Sequence, residues 1–220
     1  MSTFYLKLIA IITMLIDHTT VVLIPVDSEL HLIGRIIGRL AFPIFAFLLV
    51  EGFYHTKNIK KYLIRLGIFA LVSEIPFDLA FYNNFFDFKH QNIFFTLFLG
   101  LCTVWLLSLV EVKFKNKLVY INILNALITI AFSFIAAVLR TDYGFMGILI
   151  IVAFYLFRGS KIMLALALVV ISGSIIQGFS VLSMIPIWFY NGKKGKSLKY
   201  FFYAFYPAHI LALYLISLVI

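Results

Sequence analysis

The sequence predicts an all-α integral membrane protein, a helical bundle of about nine transmembrane segments in a single domain over residues 1–220. Two observations carry this prediction. Hydrophobic residues make up 64% of the chain and charged residues only 12%, whereas soluble domains have roughly 25% charged residues. The apolar runs are also about 20 residues long, the length that crosses a bilayer, and short polar turns separate them. We therefore expect lipid to surround most of the chain.

Six spans follow from the apolar runs taken in order, and they lie near 4–24, 32–50, 62–82, 92–110, 118–139 and 143–157. The stretch 162–190 is harder to assign. As one helix it would be about 43 Å long at 1.5 Å per residue, too long for one crossing and too short for two. A break at Gln177-Gly178 would give two short spans, while one bent helix (eight segments in all) or a re-entrant pair stays open. A last apolar segment precedes the carboxy terminus.

Loop charge predicts the orientation, since lysine and arginine collect in short loops on the cytoplasmic side. The basic residues follow alternate spans: Lys7 near the start, then Lys57, Lys60, Lys61 and Arg65, then Lys113, Lys115 and Lys117, then Arg158 and Lys161, and finally Lys193, Lys194, Lys196 and Lys199. This pattern requires one turn within 162–190 and puts the amino terminus in the cytoplasm and the carboxy terminus outside. It also explains the net charge of +9 as a topology signal. We expect a multi-pass protein of a bacterial cell membrane with no nucleic acid partner.

Asp17 and His18 lie side by side in the otherwise apolar first span. Hydrocarbon does not solvate an ionisable group, so such residues are rare in spans and usually functional. The imidazole could act as a general base that a carboxylate orients, as acyl transfer requires. The alternative is that His18 only bridges two helices by hydrogen bonds. Because the two groups occur together, the sequence favours the functional interpretation.

Further polar residues fall at the same predicted depth, namely Arg35, Arg39, Glu74, Asp78, His90, Gln91 and Asn92. Arg35 and Arg39 are four residues apart, and so are Glu74 and Asp78, so each pair shares a helix face. The two pairs predict an interhelical clamp of guanidiniums against carboxylates, and a direct catalytic role stays open. Residues 90–92 lie at the start of the fourth predicted span. They are either a solvated helix start or part of the site.

Two prolines and the single cysteine complete the pattern. Pro43 and Pro76 lack an N–H and predict breaks or kinks in the second and third spans. Cys102 is the only cysteine, which excludes an internal disulfide and a multi-cysteine metal cluster. We expect no metal.

Several of these stretches occur together as Met14-Leu15-Ile16-Asp17-His18-Thr19, Gly38-Arg39-Leu40-Ala41-Phe42-Pro43 through Glu51-Gly52, Ser73-Glu74-Ile75-Pro76-Phe77-Asp78, His90-Gln91-Asn92 and Phe205-Tyr206-Pro207-Ala208-His209. In this order they resemble the TraX family, which includes the pilin N-acetylase of F-type conjugation systems. More distantly, they are similar to transmembrane acyltransferases of the heparan-alpha-glucosaminide acetyltransferase type.

The resemblance implies transfer of an acetyl group from cytoplasmic acetyl-CoA, as cosubstrate, to an acceptor on the outer side. The acceptor would be a protein amino terminus, another amine or a glycan hydroxyl. We expect His18 to be the general base, oriented by Asp17 or Asp78. The residues expected at the CoA site are Lys57, Lys193, Lys194, Lys196, Tyr206 and His209, with Lys60 and Lys61 nearby.

Two other classes of function stay open. An ion-coupled small-molecule transporter would also carry charges and kinked helices, but it usually shows a repeat between its halves, whereas the charges here crowd into the first four spans. An assembly or anchoring subunit would not need His18. The sequence also leaves a homo-oligomer open.

Overall fold

A computed structural model of the chain describes residues 1–219, apart from the side chain of Lys199. The helices are α1 (Thr3–Leu23), α2 (Glu29–Gly38), α3 (Ala41–His55), α4 (Ile59–Tyr82), α5 (Ile93–Lys113), α6 (Leu118–Val138), α7 (Gly144–Leu156), α8 (Lys161–Ile171), α9 (Ile175–Gly178), α10 (Met184–Trp188) and α11 (Lys199–Ser217). A 3-10 helix, Phe179–Ser183, joins α9 to α10. Within 1–219 there is no strand, only an isolated bridge between Gln91 and Thr141. The prediction of an all-α bundle is confirmed.

Five described stretches are long and apolar enough to cross a membrane: Thr3–Leu23, Glu29–His55, Ile93–Lys113, Leu118–Val138 and Tyr200–Ser217. Helix α4 has 24 residues, but Lys60, Lys61 and Arg65 make its start polar. The spans predicted near 4–24, 62–82, 92–110, 118–139 and 143–157 correspond to α1, α4, α5, α6 and α7, with ends that differ by at most three residues. The exact number of crossings and the side of the amino terminus stay predictions.

The second predicted span, 32–50, is interrupted. Helix α2 ends at Gly38 and α3 begins at Ala41, so the break lies just before Pro43. Proline has no N–H for the carbonyl four residues earlier, at Arg39, and its ring would clash with that carbonyl. In the first turn of α3 the missing N–H costs nothing, which explains why the chain breaks at 39–40. Pro76, in contrast, lies within α4, which continues through it.

The stretch 161–188 leaves one end of the bundle and returns to it. Lys161 Nζ donates a hydrogen bond to the Trp188 carbonyl at 2.7 Å, and the hydroxyls of Ser172 and Ser180 lie 3.0 Å apart within the returning loop. Helix α8 has 11 residues, about 16 Å, too short for a hydrocarbon core of about 30 Å. The single turn required by the loop charges is present, and the geometry fits a re-entrant pair.

The place of this turn differs from the prediction at Gln177-Gly178. The helix stops at Ile171, and Gly173 takes a left-handed φ of 62°. Gly178 instead has an ordinary helical φ of −56°. The turn therefore uses the glycine whose missing Cβ permits a positive φ.

Several basic loops meet at one end of the bundle, which we call the basic end. The amino-terminal segment is fixed there, because the Thr3 N–H donates to the Lys193 carbonyl at 2.8 Å and the Phe4 N–H to the Lys194 carbonyl at 3.2 Å. Arg158 pairs with Glu51, with Nε 2.5 Å from Oε1. This ion pair neutralises the buried Glu51 carboxylate.

Helix α3 runs through the centre of the bundle, and α6 lies at its edge. Ten residues of α3 are buried, whereas Ala136 is the only buried residue of α6. An apolar helix exposed on nearly all sides is suited to lipid. The central position of α3 places Phe45 between the two cavities described below and Phe42 at the lining of one of them.

Candidate active site

A carboxylate with two guanidiniums lies at the end of the bundle opposite the basic end. Arg35 Nη1 donates to Asp17 Oδ1 at 2.9 Å, and Arg39 Nη2 lies 3.3 Å from both carboxylate oxygens. Arg39 Nε also donates to the Arg35 carbonyl at 3.2 Å. A charged pair removed from water needs such multiple hydrogen bonds to persist. Asp17 is therefore held as an ion-pair acceptor.

This pairing corrects the clamp that was predicted between Arg35 and Arg39 on one side and Glu74 and Asp78 on the other. The break before Pro43 lets α2 pack along α1, so both arginines face Asp17. Gly38 makes the close approach possible, because a Cβ there would overlap the Asp17 side chain. The helix faces were predicted correctly, but the partner helix was not.

His18 is oriented by a second histidine, not by Asp17 or Asp78 as predicted. Its Nδ1 lies 2.8 Å from Nε2 of His209, and the two rings are nearly parallel, at 5°. His209 Nδ1 lies 2.7 Å from the Phe205 carbonyl. His209 thus reaches the level of His18 from α11, away from the basic end where the sequence placed it.

The hydrogen bonds determine which nitrogen of each ring carries a proton when both rings are neutral. The Phe205 carbonyl can only accept, so His209 Nδ1 is the donor and its Nε2 is an acceptor. His18 Nδ1 must then donate to His209 Nε2, which leaves Nε2 of His18 with a free lone pair. A fixed tautomer with a free nitrogen is what a general base needs.

Glu74 and Asp78 bind backbone and amide groups instead of arginines. The Asn92 backbone N–H and side-chain amide both donate to Glu74 Oε2, and Asn92 also donates to the Ala70 carbonyl at 2.8 Å. Asp78, only 1% exposed, accepts from the Asp87 N–H at 2.8 Å. These contacts tie α4 to the loop before α5, which is a structural role.

His90 and Gln91 contact the loop that contains Asp142, a residue that the sequence did not predict to be part of the site. Gln91 pairs through its backbone, donating to the Arg140 carbonyl at 3.0 Å and accepting from the Asp142 N–H at 2.8 Å. His90 Nε2 lies 3.9 Å from Asp142 Oδ1, and this carboxylate raises the pKa of the imidazole above its usual value. Only the short polar run before Gly144, between two apolar spans, could have pointed to Asp142.

A cavity of about 200 Å³ lies among these groups, and we call it the outer cavity. Its polar lining consists of Asp17, His18, Arg35, Arg39, Tyr82, His90, Asp142, Tyr143 and Tyr206. Glu74, Asp78, Gln91 and Asn92 do not line it. The predicted site residues therefore divide into a group at the cavity and a group that supports the fold behind it.

A larger cavity of about 410 Å³ opens toward the basic end, and we call it the inner cavity. Its basic and hydroxyl lining includes Lys7, Arg65, Lys194, Lys196, Tyr62 and Tyr203. Of the predicted CoA residues, Lys194, Lys196 and Tyr206 line it, while Lys57, Lys193 and His209 do not. Lys7 and Arg65, which the sequence indicated only as topology signals, line the inner cavity as well.

Four side chains line both cavities: Met14, Phe45, Ile93 and Tyr206. We call them the shared wall. The two cavities therefore lie back to back, with His18 beside the wall on one side and basic residues around the opening on the other. Among residues 1–219, no three His, Cys, Asp or Glu side chains group as metal ligands would.

Comparison with known proteins shows similarity over nearly the whole chain. A family model described as TraX protein matches residues 2–217. A protein named probable fimbrial assembly protein FimC, serogroup H1, from Dichelobacter nodosus is 32% identical over 95% of this chain and 93% of its own length. Uncharacterized protein RP591 of Rickettsia prowazekii (strain Madrid E) is 28% identical over 84% of this chain and 68% of its own. No solved structure matches the chain.

Proposed function

The chain belongs to the TraX family, and from this premise we propose that it is a membrane-embedded acetyltransferase. It moves an acetyl group from acetyl-CoA, bound at the basic end, to an amine or hydroxyl acceptor in the outer cavity. The observation that carries the proposal is the pair of cavities that share one wall. A donor and an acceptor on opposite sides of a membrane need such a meeting point.

The inner cavity suits the donor. Lysine and arginine side chains bind phosphates as point charges or bidentately, and Lys7, Arg65, Lys194 and Lys196 lie around this cavity. Its lining also includes apolar side chains, among them Leu48, Leu66 and Phe94. The charged nucleotide of CoA would stay among the basic residues while its uncharged arm reaches the shared wall with the thioester.

His18 supplies the base. Its free Nε2 takes the proton of the acceptor as the acceptor nitrogen or oxygen attacks the thioester carbon. The new C–N or C–O bond forms, the C–S bond breaks, and the proton passes to the CoA thiolate. His209 holds the ring in the tautomer that this step requires, and its interaction with His18 stabilises the imidazolium that forms transiently.

The orientation follows from the charges. Arg158, Lys161, Lys193 and Lys194 lie at the basic end, which we therefore place in the cytoplasm of a bacterial cell, where acetyl-CoA is made. The outer cavity then faces the extracytoplasmic side. A relative named for fimbrial assembly makes the amino terminus of a surface-filament subunit the first acceptor to test.

The test is acetyl transfer by purified protein in detergent, with labelled acetyl-CoA and a small primary amine. We expect slow transfer or hydrolysis, and its loss in His18→Gln. The control is His31→Gln, because His31 lines neither cavity and its Nδ1 lies 3.0 Å from the Ile24 carbonyl. Equal activity in His18→Gln and wild type would show that His18 is not the general base.

The same preparation in vesicles separates the enzyme from the transporter. An acetyltransferase should work without an ion gradient. Uptake of a small molecule that needs a sodium or proton gradient, together with no turnover of acetyl-CoA, would overturn the proposal in favour of the transporter.

A further inference from the structure

The Tyr206 hydroxyl is a polar group of the shared wall that the contacts above leave unexplained. Tyr206 is only 3% exposed, and within the described residues no group accepts a hydrogen bond from its hydroxyl. A buried hydroxyl whose proton has no acceptor destabilises the folded protein, because its hydrogen bond to water is not replaced. At a wall between two cavities, this cost indicates a ligand that supplies the missing partner.

The amino-terminal end of α5 lies at the same point. Ile93 is the first residue of α5 and lines both cavities. Its N–H, like those of the first turn of any helix, has no acceptor within its own helix. The Ile93 N–H lies near the Tyr206 hydroxyl oxygen and can donate to it, but it cannot accept the hydroxyl proton. The positive end of the helix dipole therefore points toward the buried hydroxyl.

We propose that the Tyr206 hydroxyl, supported by the N-terminus of α5, stabilises the oxyanion of the acetyl-transfer reaction. This inference rests on the proposed function. When the acceptor attacks the thioester carbon, the electron pair of the C=O bond moves to the oxygen. Tyr206 donates a hydrogen bond to that oxygen until the pair returns and the C–S bond breaks. The hydroxyl thereby gains the acceptor that it lacks in the free protein.

The position of His18 supports this role. The rings of His18 and Tyr206 lie edge to face, with centroids 5.8 Å apart. A base and an oxyanion donor must both reach one carbon, the base through the attacking atom and the donor through the carbonyl oxygen. At the edge of the shared wall next to His18, the imidazole and the Tyr206 hydroxyl can reach the same thioester carbon and its oxygen.

The first test is Tyr206→Phe, which removes only the hydroxyl. We expect kcat to fall by about a hundredfold, the usual effect of removing one oxyanion donor, with little change in the KM for acetyl-CoA. The variant should fold, because within the described residues the hydroxyl donates no hydrogen bond, and what is lost is its contact with the Ile93 N–H. Tyr214→Phe, eight residues further along α11 and outside both cavities, is the matched control.

The second test is Ile93→Pro, compared with Ile93→Ala. Proline is tolerated at the first position of a helix, so it deletes the N–H while keeping α5. Both variants lose the isoleucine side chain, and only the proline variant loses the donor. We expect kcat to be at least about tenfold lower in Ile93→Pro than in Ile93→Ala.

The outcomes separate this inference from the proposed function. An inactive wild-type protein overturns the proposed function and with it the role of Tyr206. An active wild type whose kcat is unchanged in folded Tyr206→Phe overturns the oxyanion role alone. If Tyr206→Phe does not fold, fluorotyrosine at position 206 keeps the shape and changes only the hydrogen-bond strength. A kcat that does not respond to it also overturns the role.

Discussion

His18 and His209 are 191 residues apart in the chain, yet Nδ1 of one lies 2.8 Å from Nε2 of the other. Because the Phe205 carbonyl fixes the tautomer of His209, the proton between the two rings belongs to His18. The two rings are therefore coupled by one hydrogen bond of defined direction, and we expect them to act as a unit in the proposed reaction.

The first prediction follows from this unit. We expect His18→Gln and His209→Gln each to lower kcat by a factor of about 10² to 10⁴, the range for a lost general base. The double variant should be no slower than the slower single variant, because residues that act as a unit are strongly non-additive. Steady-state kinetics of the four proteins decide this, and losses that multiply in the double variant would contradict it.

The second prediction concerns the ion pairs of Asp17. The Arg39 side chain is 8% exposed and that of Arg35 is 30% exposed, so Asp17 depends more on Arg39. We expect Arg39→Met to lower the free energy of unfolding by about 3 kcal/mol, since it leaves a buried carboxylate short of a partner. Arg35→Met should cost clearly less. Thermal unfolding in detergent measures both.

A double variant tests which acid is the partner. Asp17→Asn should recover part of the stability that Arg39→Met removes, because the uncompensated charge is gone. Glu74→Gln and Asp78→Asn should not, since neither acid touches the arginine. Recovery by Glu74→Gln or Asp78→Asn, and not by Asp17→Asn, would mean that Arg39 pairs with that acid, as the sequence predicted.

The sequence identified the helix faces at this site but not the neighbours of the helices. Arg35 with Arg39 and Glu74 with Asp78 both recur at intervals of four, and this spacing fixes which residues share a face. Which helix that face meets depends on the break before Pro43, where α2 turns onto α1. Pairing across the bundle is a property of the packed chain.

The lengths of apolar runs predicted α5, α6 and α7 closely, because bilayer thickness constrains them. They did not locate the turn at Gly173, because apolar residues extend on both sides of the short Ser172-Gly173-Ser174 stretch and run lengths alone do not register so short an interruption. Asp142 was missed for a related reason. Its importance comes from contacts with His90 and Gln91, some fifty residues earlier in the chain, and no local pattern reveals such a contact.

The third prediction uses the close approach of α1 and α2. A Cβ on Gly38 would overlap Cβ and the carboxylate of Asp17, so Gly38→Ala forces the helices apart. We expect a loss of about 1–3 kcal/mol, as for other overpacked positions. Gly67→Ala in α4 is the control, because its new Cβ would lie 3.7 Å from the Phe98 ring, an ordinary contact. Equal stability of the two variants would mean that α2 does not lie against α1.

The fourth prediction is a pH dependence at the outer loops. Asp142 raises the pKa of His90 above its usual value, so this pair stabilises the folded protein while His90 is protonated. The contribution is fully present below the unfolded pKa of about 6.5 and is lost as the pH rises through the higher folded pKa. It should stay below about 1 kcal/mol, since His90 is partly exposed.

Thermal unfolding between about pH 5 and 9, on both sides of the histidine pKa, checks this dependence. In Asp142→Asn, thermal stability should differ less between low and high pH than in wild type, because the amide carries no charge. The amide oxygen still accepts from the Tyr143 N–H. His90→Gln should flatten it equally. A wild-type slope that survives both substitutions would assign the dependence to another group.

The last prediction concerns sidedness and the return of 161–188. Once Cys102 is replaced, cysteines at Asp27 and Asn84 should react with an impermeant thiol reagent from outside. Cysteines at Asn116, Gly159 and Lys196 should react only in opened membranes, because the hydrogen bond between Lys161 and Trp188 places both ends of the stretch at the basic end. Gly195 is a poor position for a cysteine, since its φ of 70° is strained for any side chain and a Cβ there would meet Ser2. If Lys196 reacts from outside while Gly159 does not, the stretch crosses the membrane and the inner cavity cannot receive cytoplasmic acetyl-CoA.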